Sequence, residues 1–97
     1  MAELKNPNAV KVLEYVVAQD GKNFTAADIT EATGIPKKSV DGIVTMTFQR
    51  HKNGQGDIVP LMVREKVTVK KDDNTTDTVT FIRLTDDGRA FAKELFG

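Results

Sequence analysis

The chain has no cysteine and only one histidine in its 97 residues. Without thiols there is no disulfide framework and no thiolate metal site, which fits a reducing compartment. A lone histidine (His51, in a polar loop) completes no Ser–His or Cys–His constellation and no zinc-ligand spacing. Glycine-rich phosphate cradles, internal repeats and low-complexity tracts are also missing. No apolar run approaches the roughly 18 residues of a membrane span. The N-terminal MAELKNPNAVK lacks the basic-then-apolar order of a secretory signal. These absences exclude most enzyme classes, cofactor sites and membrane roles. They lead to the expectation of a cytoplasmic, non-enzymatic chain with no metal, no cofactor and no membrane partner.

What is present has the proportions of one folded domain: 39% apolar residues in a length that supports a single core. Net charge is zero, but it is unevenly distributed. Residues 1–35 carry three lysines against five acids, and residues 72–97 carry three cations against six acids. The middle segment, 36–71, carries eight Lys and Arg against three acids. A cationic middle in a neutral chain points to a polyanionic partner for that segment, against the plain alternative of chance surface patchiness.

The pattern predicts a first helix from about Pro7 to Gln19, capped by Asn6, with an apolar stripe of Val10, Leu13, Val17 and Tyr15. An extended piece, Lys22 to Phe24, precedes a second helix capped by Thr25. Its inward face is Ala26, Ile29 and Ala32–Thr33, and Gly34 ends it in a left-handed cap. Pro36 opens a third helix, whose Val40, Ile43, Val44 and Phe48 share one face. Lys37, Lys38, Asp41, Gly42, Thr45 and Gln49 occupy the opposite face. HKNGQGD, residues 51–57, breaks the helix. Residues 61–70 alternate as a strand, with Leu61, Val63, Val67 and Val69 in one phase, and Thr78–Leu84 returns as its hairpin partner. Thr85 caps a last helix, Asp86 to about Phe96, with Phe91 and Leu95 packing it down.

Two segments carry a family resemblance: TAADITEATGIPKKSVDGIV, residues 25–44, and IRLTDDGRAF, residues 82–91. Together they resemble the helix-turn-helix and the strand-to-helix corner of bacterial MarR-type transcriptional regulators. The resemblance implies an α+β, mainly α, fold. This would be a single winged helix-turn-helix domain spanning 1–97, with a three-helix core, a two- to three-stranded antiparallel wing and a C-terminal helix. It further implies a small transcriptional regulator bound to double-stranded DNA. A lone winged helix has few base contacts, so specificity calls for a second copy, a homodimer with the C-terminal helix as its contact.

On that reading the third helix enters a major groove. Lys37, Lys38 and Ser39 reach phosphates or base edges, and Thr45 reaches a thymine methyl or a phosphate. Free N–H groups at the helix starts near Thr25 and Lys37 suit phosphate oxygens. Asp41, Gly42, Gln49 and Arg50 complete the helix contribution. Gly42, unfavourable inside a helix, implies close approach of a neighbouring helix or a DNA backbone. The hairpin adds Lys66, Lys70 and Lys71, with Arg64 at its base. Lys70 and Lys71 also read as guards of an exposed strand edge, and Arg83 and Arg89 as structural residues. The competing reading is a winged-helix protein–protein module without sequence-specific DNA binding. An exposed apolar patch at Met46 and Met62 would favour it.

Overall fold

A computed structural model describes residues 4–97. It is an α+β fold of four helices and one two-stranded antiparallel sheet. No helix among the described residues is long and apolar enough to cross a membrane.

Helix α1 spans Pro7–Ala18 and starts as expected, with Asn6 accepting from the Asn8 N–H at 3.0 Å and proline at the first turn. Its buried stripe is rotated from the expected one. Ala9, Val12, Leu13 and Val16 face inward, and Val17 is 37% exposed. Valines stand on both sides of this helix, so the small Ala9, not the bulkiest residues, marks the side of closest packing. Helix α2, Ala26–Thr33, carries a reciprocal cap: Thr25 accepts from the Asp28 N–H, and the Asp28 carboxylate accepts from the Thr25 N–H at 2.9 Å. Gly34 closes it in the left-handed conformation, φ 77°. Ile29 is the buried anchor, while Ala32 faces solvent instead of the core.

Helix α3 covers Lys37–Ile43 and passes into a π-helical segment, Val44–Gln49, not the continuous α-helix the sequence predicts. The Arg50 N–H donates to the Thr45 carbonyl at 3.1 Å, five residues back. The wider turn leaves the Phe48 carbonyl open to the Leu61 N–H at 2.9 Å, which ties the end of the helix to the start of the hairpin. Val40, Ile43, Val44 and Phe48 are all buried, as their spacing requires.

Strands β1, Met62–Lys70, and β2, Thr76–Leu84, pair from Met62↔Leu84 to Lys70↔Thr76. Opposed residues share a face. The face turned to the core carries Met62, Ile82 and Leu84, so the phase is opposite to the one expected: Val63 and Val69 are about one-third exposed and Met62 is fully buried. Leu61 is buried too, because it lies just before the strand, beneath the last helix. A turn held by the Lys71 N–H on the Thr75 carbonyl joins the strands, with Asn74 at φ 67°. The Phe24 carbonyl accepts from the Ile82 N–H at 3.1 Å, a single rung beside β2 where the sequence allowed a third strand.

Helix α4, Asp86–Phe96, begins at a tightly built corner. The Thr85 hydroxyl accepts from the Gly88 N–H at 2.9 Å and donates to the Pro60 carbonyl at 2.7 Å, and the Thr85 N–H donates to the Leu61 carbonyl at 3.0 Å. A Cβ on Gly88 would stand 2.0 Å from that Leu61 oxygen. Glycine is required here for clearance, which accounts for its place in LTDDGR.

Candidate nucleic-acid interface

A groove of about 540 Å³ runs between the starts of α2 and α3 on one side and the hairpin on the other. Thr25, Ala26, Ala27, Lys37 and Asp41 line the helix side. Arg64, Lys66, Thr78, Thr80 and Ile82 line the hairpin side. Five of the sequence-predicted residues, Thr25, Lys37, Asp41, Arg64 and Lys66, thus meet in one concave surface. Thr78 and Thr80 were missed. The strand register supplies the signal for them, since Thr80 opposes Lys66 and Thr78 opposes Thr68 on the inward face.

The start of α3 differs from the other helix starts. Asn6, Thr25 and Thr85 cap α1, α2 and α4, whereas Pro36 gives α3 no side-chain cap. Lys37, Lys38 and Ser39 are exposed there. Two cations sit at the positive end of the helix dipole, where a carboxylate would be stabilising. At the start of α2, by contrast, the Asp28 carboxylate and the Thr25 hydroxyl satisfy each other's backbone N–H. The expected phosphate contact at Thr25 would therefore compete with an internal bond.

Arg64 does not face outward as the sequence suggested. Its guanidinium turns onto α3 and donates to Thr45 Oγ1 at 3.0 Å, to Gln49 Oε1, and to the Asp41 carbonyl at 3.3 Å. The Asp41 carboxylate lies 3.8 Å away. The π-helical segment makes this grip feasible. In an α-helix, residues four apart drift by about 40°. Widening the turn after Thr45 brings Gln49 back into line with Asp41 and Thr45. Asp41, Thr45 and Gln49 are all half-buried as a result.

The remaining candidates lie elsewhere. Lys70 and Lys71 flank Asp72 and Asp73 at the far end of the ribbon, and Lys71 pairs with Asp77 at 3.5 Å. Hydrogen bonds from Thr75 hold the Asp73 carboxyl below the usual carboxylate range. The tip is therefore mixed in charge. Gly42 lies exposed on α3, and Arg50 stands at the end of the π segment with its guanidinium 3.6 Å from the Met46 sulfur. Met46 is 63% exposed; Met62, expected beside it in an apolar patch, is core.

Arg83 and Arg89 serve the structure, as expected. Arg83 bridges Glu65, the Lys22 carbonyl and Asn23. Arg89 ties α4 to Asp20 and pairs with Asp86 within the helix. Its hydrogen bond holds the Asp20 carboxyl below its ordinary value. His51 packs edge-on against Phe91, 5.2 Å between ring centres. No group of three or more His, Cys, Asp or Glu that could hold a metal stands together among the described residues.

Compared with protein-family models, with curated proteins and with solved structures, the chain gives no match to any of the three.

Proposed function

We propose that this chain is a winged helix-turn-helix DNA-binding protein of MarR type, a small cytoplasmic transcriptional regulator. On this reading α2 and α3 form the helix-turn-helix, and the β1–β2 hairpin is the wing. The observation that carries the reading is the groove itself. Lys37 at the uncapped start of α3 and Lys66 on the wing line the same concavity, so a duplex phosphate backbone can meet both at once. Among the described residues Lys37, Lys38, Arg50, Lys66 and Lys70 have no carboxylate within ion-pair distance and are available for phosphates. Neutralising about five phosphates gives log K against log salt a slope of roughly −4.5.

A titration of duplex DNA at several salt concentrations tests this. A steep slope, with amide shifts confined to residues 36–50 and the wing, supports the reading. A slope near zero removes it. One α3 offers few base contacts, so useful specificity calls for a second copy. The proposed contact is α4, whose Phe96 stands exposed with Val17 of α1, beside Ala92 and Leu84. Sedimentation showing monomer alone at high concentration would count against that pairing.

The protein–protein reading keeps one specific observation, the exposed Met46 beside a helix ridge already occupied by Arg64. Shifts centred on Met46 with a protein ligand, and none with DNA, would favour it.

A further inference from the structure

We infer that the surface of α3 and its π-helical continuation that reads a duplex is the ridge Lys38–Gly42–Met46, and that Arg64 is a positioning residue that withdraws the neighbouring ridge, Asp41–Thr45–Gln49, from base reading. This rests on the DNA-binding function proposed above and says which residues carry its specificity.

The withdrawn ridge has each of its side chains engaged by Arg64. Gln49 Oε1 and Thr45 Oγ1 both accept from the Arg64 guanidinium. A glutamine reads adenine by accepting from N6 while donating to N7. The amide oxygen keeps a second lone pair, but its bond to Arg64 fixes the Gln49 side chain toward the hairpin. Asp41 could accept from cytosine N4, but its carboxylate and its backbone carbonyl both face the same guanidinium.

The other ridge makes one contact within the protein among the described residues, between Met46 and Arg50 on the same helical rod. A Cβ on Gly42 would meet no atom within 4 Å. The neighbouring-helix explanation of this glycine therefore fails, since none of the described residues approaches it. A glycine inside a helix is unfavourable relative to alanine, and nothing internal offsets it here. Approach from outside accounts for it. One turn before it stands Lys38, exposed and without an acidic partner among the described residues. One turn after it stands Met46, the most exposed of the large apolar side chains among the described residues. The contact with Arg50 at 3.6 Å holds the thioether along the helix. A polarisable apolar side chain suits the thymine methyl. The ridge thus presents a cation, then bare backbone, then an apolar contact, each step about 6 Å along the axis. The cations at Lys37, Lys38 and Lys66 fix the occupant as a polyanion.

The test begins with the full chain and a randomised duplex DNA library, with sequencing of the duplexes retained. The same selection is repeated with four variants. Met46→Ala should lose a thymine preference at one position and bind the wild-type motif about five- to tenfold more weakly. Gly42→Ala should raise Tm by about 4 °C and still bind that motif at least fivefold more weakly, a combination that loss of structure would not give. Gln49→Ala should retain the wild-type motif. Arg64→Met should change the motif by freeing Gln49 to read adenine, which simple destabilisation would not do. An unchanged motif in Met46→Ala together with an altered one in Gln49→Ala would overturn the ridge assignment while leaving DNA binding intact. A wild-type chain that enriches no motif but binds duplexes with a steep salt slope would also overturn the assignment alone. If it binds no duplex at all, the DNA-binding reading falls with it.

Discussion

Helices α3 and α4 start in opposite ways. At α4 every local device favours stability: a threonine cap, two aspartates in the first turn, and a glycine that lets the Leu61 carbonyl come close. At α3 no side chain caps the first turn and two lysines face the positive dipole. An Asp or Glu there would be stabilising by a few tenths of a kcal/mol to about 1 kcal/mol. The first start is organised to hold the hairpin to the body. The second has no side-chain cap, and its two lysines have no acidic partner among the described residues.

The largest effect that sharpens this contrast is expected at Gly88. Gly88→Ala puts a methyl against backbone that cannot retreat without parting Thr85 from Leu61. It should destabilise by about 3 kcal/mol or more, read as a fall in Tm or an unfolded chain. Next comes the double variant Lys37→Ala/Lys38→Ala. Duplex affinity should fall tenfold or more at low salt, about 1.4 kcal/mol, while Tm holds or rises slightly. Unaltered affinity would erase the contrast, because the uncapped start would then serve nothing. Thr85→Ala removes the cap and its bond to Pro60. It should lower stability by about 1 kcal/mol and leave the affinity of the folded fraction unchanged.

The smallest effect concerns the anchor of α4 at Asp20. The Arg89 hydrogen bond lowers its folded-state pKa. The contribution is therefore complete above the unfolded value of about 3.9, and it is lost as pH falls through the lower folded value. Asp20→Asn should be less stable than wild type at pH 7, and the difference should shrink below about pH 4. A constant difference in Tm across that window would show that the ion pair does not stabilise the fold.

Much of the fold was legible because its signals are short. The caps at Asn6, Thr25 and Thr85 and the left-handed Gly34 each act within a few residues. The apolar spacing of Val40, Ile43, Val44 and Phe48 needed only helical geometry. The hairpin phase was misread because its valines favour strand without saying which side is wet. The core chose Met62, since Leu61 is fixed between the Phe48 carbonyl and the start of α4. The π segment was invisible too, because its reason lies in partners outside the helix.

Of the candidate interface, the sequence located the cationic segment and the lysine-bearing helix start. It could not say that Arg64 would turn inward. That side chain meets Gln49 across 15 residues and Asp41 across 23, and only the closed hairpin brings them into reach. Local hydrogen bonds and periodicity are written in neighbouring residues, so the chain by itself determined where helices start and stop and where charge accumulates. Which faces meet, and which polar groups are left over for a partner, depends on contacts between distant segments, and the tertiary structure alone decided that.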